Sequence, residues 1–299
     1  MTTKQWKKIA HQATSLKIDK CLVSENHLSV WKITHDNSPQ ILRIYNLKNV
    51  ETQHMDCTWS LLTQLKSIKG YNGTLPLQKL EIGSQFRGFR LTYIEGKHPR
   101  VNSNLQLISA GRAIAHFHKL TSKIEIGGMR RYNYKSITNN INEPIFLAYL
   151  SSSQKQEIEK ICFLIKENIK EVENSSSLCG ILHGDPHWEN IITNPDGVFL
   201  IDFDDCGYGL YMYDLAVGIA DTMQENPKQS KRIKECFVKG YLEVFPQKEK
   251  LIEKHLNHLI KLRYIDYMLR PFNEWSEKEI KEYSDEIIEV IEESMQLLN

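Results

Sequence analysis

Long apolar runs are missing from this chain. No stretch approaches the ~18 residues of a membrane span, and the opening Met1 to Lys8 leads into nothing like the apolar core of a secretory leader. Neither sign of charge is in excess: 38 Lys and Arg stand against 37 Asp and Glu, a formal net charge of +1. That balance argues against a dedicated nucleic-acid binder, which carries a clear basic surplus. The six cysteines (Cys21, Cys57, Cys162, Cys179, Cys206, Cys236) form no C-x-x-C pair, which fits neither a zinc ribbon nor a disulfide-dense secreted scaffold. Glycine is absent before Gly70, so the first quarter of the chain has no G-x-G-x-x-G phosphate loop. Internal repeats and low-complexity segments are lacking too. What remains reads as a globular protein expected in the cytoplasm, and its 299 residues are long enough for two lobes.

The charge that is present is unevenly spread. Residues 1–100 hold 15 basic and 7 acidic groups, and residues 101–299 hold 23 and 30. Such an asymmetry points to two lobes facing different ligands, or simply to solvated faces. The first hundred residues are strand-rich, with β-type runs at Lys20 to Val23, Leu28 to Ile33 and Gln40 to Tyr45, and one helical stretch over 50–67. A further strand from Phe89 to Ile94 ends at Glu95-Gly96, where the composition changes, so the boundary is expected between 1–96 and 97–299. The second part is mostly helical, interrupted by short strands at Gly180 to His183, Ile191 to Thr193 and Val198 to Ile201.

Those short strands carry the chemistry. His183-Gly184-Asp185-Pro186-His187-Trp188-Glu189-Asn190 is followed by Ile201-Asp202-Phe203-Asp204-Asp205, with the turn signal Asn194-Pro195-Asp196-Gly197 between them. A hairpin closed by that turn brings the Asn190 amide to the Asp202 carboxylate at its open end. Hard Mg²⁺ is commonly held by one or two such oxygen ligands plus nucleotide phosphates. Asp185, on the loop before, is set to take a proton from an attacking hydroxyl. Both features suit phosphoryl transfer. A zinc hydrolase using His183, Asp185 and His187 is the rival reading, and Pro186 argues against the helical spacing it wants.

The pattern H-G-D-x-H-x-x-N followed by I-D-F-D-D resembles the aminoglycoside phosphotransferase and choline kinase-like superfamily. The resemblance implies an α+β, protein-kinase-like two-lobed fold, with a β-rich nucleotide-binding lobe over 1–96 and a helical catalytic and acceptor-binding lobe over 97–299. It implies ATP and Mg²⁺ as cofactors, Asp185 as the catalytic aspartate, and Asn190 and Asp202 as metal ligands. Arg43 stands where the family usually carries a phosphate-binding lysine, and arginine binds phosphate as a fork rather than as a point charge. Asp56 or Glu51 would supply its helix partner, Asp56 being preferred. Leu91, Thr92 and Ile94 match the family's hinge, the last two offering backbone to the adenine edge. His183, His187, Asp204 and Asp214 match supporting loop positions, Asp214 being read as an anchor for the loop after the metal site.

Small-molecule kinases of the superfamily this chain resembles often lack a glycine loop, so the resemblance implies a small-molecule hydroxyl acceptor, such as an aminoglycoside or amino alcohol. A Ser/Thr protein kinase of the stress-response type and a non-catalytic nucleotide-binding pseudokinase are the alternatives. A cationic acceptor would find Asp221, Glu225, Asp266, Glu274 and the acidic C-terminal helix in the second part, where the same charges otherwise serve as solvated faces. Tyr208, Tyr211, Tyr241, Tyr264, Tyr267 and Trp275 either cage such a cation or pack the core. Neither nucleic acid nor membrane is expected as a partner.

Overall fold

Strand-forming residues early in the chain and amphipathic helices later produce the element order of the computed structural model, which describes residues 1–71, 73–173 and 175–298. The order begins α1 (Thr3–Ala13), β1 (Lys17–Ser24), β2 (Leu28–His35), β3 (Ser38–Asn46), α2 (Thr52–Ser67), β4 (Pro76–Ile82) and β5 (Phe86–Thr92). Then come α3 (Asn104–Thr121), β6 (Arg130–Tyr132), α4 (Tyr134–Ile137), α5 (Pro144–Leu147), α6 (Ser152–Glu173) and β7 (Cys179–Leu182). After a 3₁₀ turn at Trp188–Asn190 follow β8 (Ile191–Asn194), β9 (Gly197–Leu200), β10 (Gly207–Leu210) and α7 (Tyr211–Glu225). The chain ends in α8 (Ser230–Leu242), α9 (Glu249–Glu274), α10 (Glu277–Glu282) and α11 (Ser284–Leu298). Among the described residues no helix is long and apolar enough to cross a membrane.

The elements divide into two compact units. The first contains Met1–His98, Lys123–Met129 and Ile192–Asp204, and the second Pro99–Ser122, Arg130–Ile191 and Asp205–Asn299. The first unit is built on an antiparallel sheet of order β1-β2-β3-β5-β4. Asp36 and Asn37 turn β2 into β3 in left-handed conformation, φ 47° and 59°, as a two-residue hairpin turn requires. On β3 the side chains alternate: Leu42 and Ile44 face α1, joining Trp6, Ile9, Ala10, Trp31, Ile33 and Ile82 in one buried cluster. Arg43 and Tyr45 face the other way, where Phe89 packs on Tyr45 and on Trp59 of α2. Reading the sequence for apolar runs misses α1, because only Trp6, Ile9 and Ala10 of its residues are buried. The capping box formed by Thr2 and Gln5 was its signal.

In the same unit the β8–β9 hairpin is closed by Asn194, whose side-chain oxygen accepts from the backbone amides of Asp196 and Gly197 at 2.8 and 3.2 Å. Lys97 and Thr193 exchange backbone hydrogen bonds at 3.0 and 2.7 Å, which ties the hairpin to the chain just after Gly96.

The second unit is helical around one small sheet, in which β10 runs antiparallel to β7 and parallel to β6. Helix α7 is its centre. Residues Tyr211 to Ala220 are all buried, as expected of a helix apolar on every side. Helices α3 and α8 touch backbone to backbone through glycine. A Cβ on Gly111 would lie 2.0 Å from the Phe237 carbonyl, and one on Gly240 would lie 1.8 Å from that of Ile108.

Gly240→Ala is therefore expected to force the two helices apart, at a cost of about 1–3 kcal/mol. Gly127→Ala, where a Cβ meets nothing within 4 Å, should be close to neutral. Thermal denaturation of both variants beside the parent checks this, and equal midpoints would contradict it.

Candidate active site

The H-G-D loop leaves the end of β7 in a shape set by one buried carboxylate. Asp214, on α7, accepts from the backbone amide of His183 at 2.7 Å and from that of Gly184 at 2.9 Å. It also takes a hydrogen bond from His118 Nε2 at 2.9 Å. Burial pushes the His118 imidazole towards its neutral form, which leaves Nδ1 to accept from the Tyr241 hydroxyl at 3.1 Å. Gly184 has φ +88°, and a Cβ there would sit 1.9 Å from the Asp205 carbonyl, so only glycine fits. Asp214 thus anchors the loop before Asp185, where the expectation was the loop that follows Asp202. His183 is fully buried with its ring edge-on to Phe117, the setting of a packing residue and not of a zinc ligand.

Asp185 emerges from this loop 14% exposed. Its backbone carbonyl accepts from Asn190 Nδ2 at 3.0 Å, which commits the amide nitrogen and leaves Asn190 Oδ1 as the atom on offer. Its Oδ1 accepts from Arg263 Nη2 at 3.0 Å, and His187 Nε2 stands 3.5 Å from its Oδ2. Burial raises the Asp185 carboxyl above the usual aspartate range, against the pull of Arg263, His187 and Arg270. A base closer to neutral pH is the better proton acceptor.

Arg263 was invisible to motif reading. It sits on α9 among buried Leu259, Ile260, Leu262, Tyr264 and Ile265, and is 3% exposed. Its flanking apolar residues, interrupted by Lys261, Asp266 and Arg270, gave no sign that this arginine is buried. Its guanidinium also bonds Asp221 through Nε at 3.1 Å and Nη2 at 2.9 Å, and Asp266 through Nη1 at 3.1 Å. Asp221 and Asp266 are therefore spent on Arg263 instead of waiting for a cationic acceptor. Tyr211, Tyr241 and Tyr264 are core residues, each less than a tenth exposed.

In the first unit the I-D-F-D sequence meets β3. Arg43 Nη1 bonds Asp202 Oδ1 at 2.9 Å, and Nη2 bonds Asp204 Oδ2 at 2.6 Å. The Tyr45 hydroxyl donates to Asp204 Oδ1 at 2.8 Å, and His54 of α2 reaches the Asp204 carbonyl. Burial works against the Arg43 charge, and the two carboxylates more than offset it, so the guanidinium stays protonated. Its Nε is buried with no partner, one donor available to a further anion. Asp202 has φ +64°, a strained setting for a residue other than glycine, typical of functional positions. Its carboxylate is 36% exposed.

Two expectations are corrected here. Asp56 does not partner Arg43: it lies on the outward side of α2, 53% exposed, and pairs with Lys79 and with Arg87, the latter at 3.2 Å. Glu51 is likewise exposed, just before that helix. The carboxylates for Arg43 come from the Asp202 and Asp204 motif instead. The Thr92 amide is not open to a ligand, because it donates to the Leu75 carbonyl at 2.9 Å, while the Thr92 hydroxyl accepts from the Leu75 amide at 2.8 Å. Leu91 is buried as a strand residue, and Ile94 lies half-buried just past the strand end.

The hard oxygen donors Asp202 and Asn190 suit Mg²⁺. Among the described residues no group of three His, Cys, Asp or Glu side chains is set to hold a metal.

Comparison with known proteins bears on what such a chain is. Hydroxylysine kinase of Mus musculus is 26% identical over 223 residues, covering 67% of this chain and 58% of that protein. An uncharacterized protein of Synechocystis sp. is 31% identical over 87 residues, 24% of its length. The chain thus spans little more than half of the first relative and a quarter of the second. Among solved structures, an amicoumacin kinase in complex with AMP-PNP, Ca²⁺ and Ami superposes with a TM-score of 0.72 at 15% identity, covering 98% of this chain and 93% of that one. A microcompartment-associated aminopropanol kinase gives 0.72 at 16%, covering 98% and 95%. These likenesses fix the fold class as protein-kinase-like α+β. The model of the phosphotransferase enzyme family matches residues 22–237, both motifs included, and the chain belongs to that family.

Proposed function

We propose that this family member transfers the γ-phosphoryl group of ATP, taken as its magnesium complex, to a hydroxyl of a small amine-bearing alcohol in the cytoplasm. The observation that carries the reading is the Asp185 loop: a carboxylate held at one oxygen, on a backbone fixed by Asp214, beside an asparagine whose amide oxygen is left over. Residues 1–96 would serve the nucleotide, and 97–299 catalysis and the acceptor. The choice of a small acceptor rests on the relatives, named for hydroxylysine, aminopropanol and amicoumacin.

Each residue then has a role set by its chemistry. Asp185 Oδ1 is occupied by Arg263, so Oδ2 takes the proton of the acceptor hydroxyl. Asn190 Oδ1 and the Asp202 carboxylate would hold the metal. Bound magnesium neutralises the charge that builds on the transferring phosphoryl group, which leaves the protein mainly the tasks of positioning and electrostatics. Arg43 binds a phosphate oxygen while its pair of carboxylates keeps the fork in place. Leu91 and Ile94 flank the adenine, whose edge is read by backbone beyond Thr92.

ADP release from Mg-ATP over a panel of aminoglycosides, macrolides, choline, ethanolamine, aminopropanol, hydroxylysine, homoserine and a generic protein substrate tests the reading. Acceptor-dependent release is expected, and Asp185→Asn should lower kcat by about 10²–10⁴-fold while nucleotide binding persists. Unchanged turnover in that variant would overturn the assignment of the base. Asp202→Ala should abolish magnesium-dependent nucleotide binding, measured by titration calorimetry with and without the metal. Arg43→Lys keeps the charge but cannot fork to both Asp202 and Asp204. It should raise KM for Mg-ATP about tenfold, roughly the loss of one charge-assisted hydrogen bond, and an unchanged KM would remove Arg43 from the nucleotide site.

A further inference from the structure

Arg263 stands out from the rest of the second unit because a single buried guanidinium serves three carboxylates from three places in the sequence. Asp185 comes from the catalytic loop, Asp221 from α7, and Asp266 from α9 itself. The bonds fall into an order of dependence. Asp221 engages two nitrogens of the fork, Nε and Nη2, at 3.1 and 2.9 Å, the bidentate arrangement that sets the plane of a guanidinium. Asp266 fixes the third nitrogen and is itself held by the Tyr213 hydroxyl at 3.1 Å. With its plane set on that side, Arg263 turns Nη2 to Asp185 Oδ1 at 3.0 Å.

Other contacts fix only the backbone of the loop. Asp214 binds the amides of His183 and Gly184, and Asn190 binds the Asp185 carbonyl. Pro186 restricts the residue before it to extended conformations. None of these sets where the carboxylate of Asp185 points. Arg263 does, at hydrogen-bonding distance, with His187 at the longer 3.5 Å on the other oxygen.

We propose that Arg263 is the positioning residue of the transfer step: it clamps Asp185 Oδ1 so that Oδ2 faces the acceptor hydroxyl, a role that rests on Asp185 being the base. Asp221 and Asp266 act one step further out, by orienting Arg263. Lysine at position 263 keeps the charge in the buried cluster but offers no fork, so it can satisfy Asp221 and Asp266 without also holding Asp185 in place.

The test sets R263K beside D221N, D185N and the double variant D185N/R263K, all in the full chain. The readouts are kcat and KM for Mg-ATP and for the acceptor active in the panel above, thermal midpoints, and crystal structures of the parent and R263K. R263K should lower kcat about ten- to a hundredfold, as misplacement of a reacting group by roughly 1 Å does, with KM for Mg-ATP unchanged. Its crystal structure should show the Asp185 carboxylate rotated or in two positions. In the D185N background, R263K should cost nothing further in kcat. D221N should fall between parent and R263K. An R263K enzyme with parental kcat, or an Asp185 carboxylate unmoved in its crystal structure, overturns the proposal. So does an equal kcat loss from R263K with and without Asp185. Should D185N keep full turnover, the base assignment fails instead, and the two failures are told apart by that variant alone.

Discussion

The shape of the loop that leads to Asp185 depends on the buried carboxylate of Asp214. A charge in an apolar interior is tolerated only where hydrogen bonds replace its lost hydration. Asp214 meets that demand with two successive backbone amides and one imidazole. The consequence runs outward. The amides belong to His183 and Gly184, so satisfying the carboxylate forces the loop into one shape, and the left-handed Gly184 lets it pass the Asp205 carbonyl. Asp185 is delivered at the end of that forced path. The same residue holds the most central helix of the unit against α3 through His118, so stability and loop geometry are one constraint.

Charge placement follows a common logic in both units. In each, one arginine is taken out of water and kept charged by more than one carboxylate. Arg263 is surrounded by Asp185, Asp221 and Asp266, and Arg43 by Asp202 and Asp204. A buried ion pair of this kind adds little net stability, because desolvation consumes most of the Coulombic gain. What it supplies is direction: a planar fork with several partners has few orientations left. Each arginine is bonded to an acid that the proposed chemistry uses, Asp185 in one unit and Asp202 in the other.

The sequence made the local chemistry legible and the long-range partnerships opaque. H-G-D-P-H-W-E-N and I-D-F-D-D are contiguous, their turn chemistry is explicit in Asn194 to Gly197, and so the loop and the hairpin could be read residue by residue. Arg43 could be found on its strand by position. Its partners could not: the reading chose between Asp56 and Glu51, yet the outward side of α2 gives Asp56 to Lys79 and Arg87, and Glu51 stands exposed before that helix. Asp221 and Asp266 looked like acids awaiting a cation, and the cation was in the chain itself, 42 and 3 residues away along the sequence. Helix α1 escaped notice because only Trp6, Ile9 and Ala10 of its residues are apolar and buried, too few to form an apolar run, although together with β2 and β3 they close one face of the first sheet.

In the proposed reaction, phosphate moves from nucleotide to a hydroxyl and not to water. Incubation with [γ-³²P]ATP, magnesium and the acceptor panel, followed by separation of products, measures this directly. Label is expected on an acceptor, one equivalent per ADP formed, and none of it on Cys or His side chains of the protein. Label recovered only as inorganic phosphate whatever acceptor is supplied, or nucleotide bound and never cleaved, would contradict it.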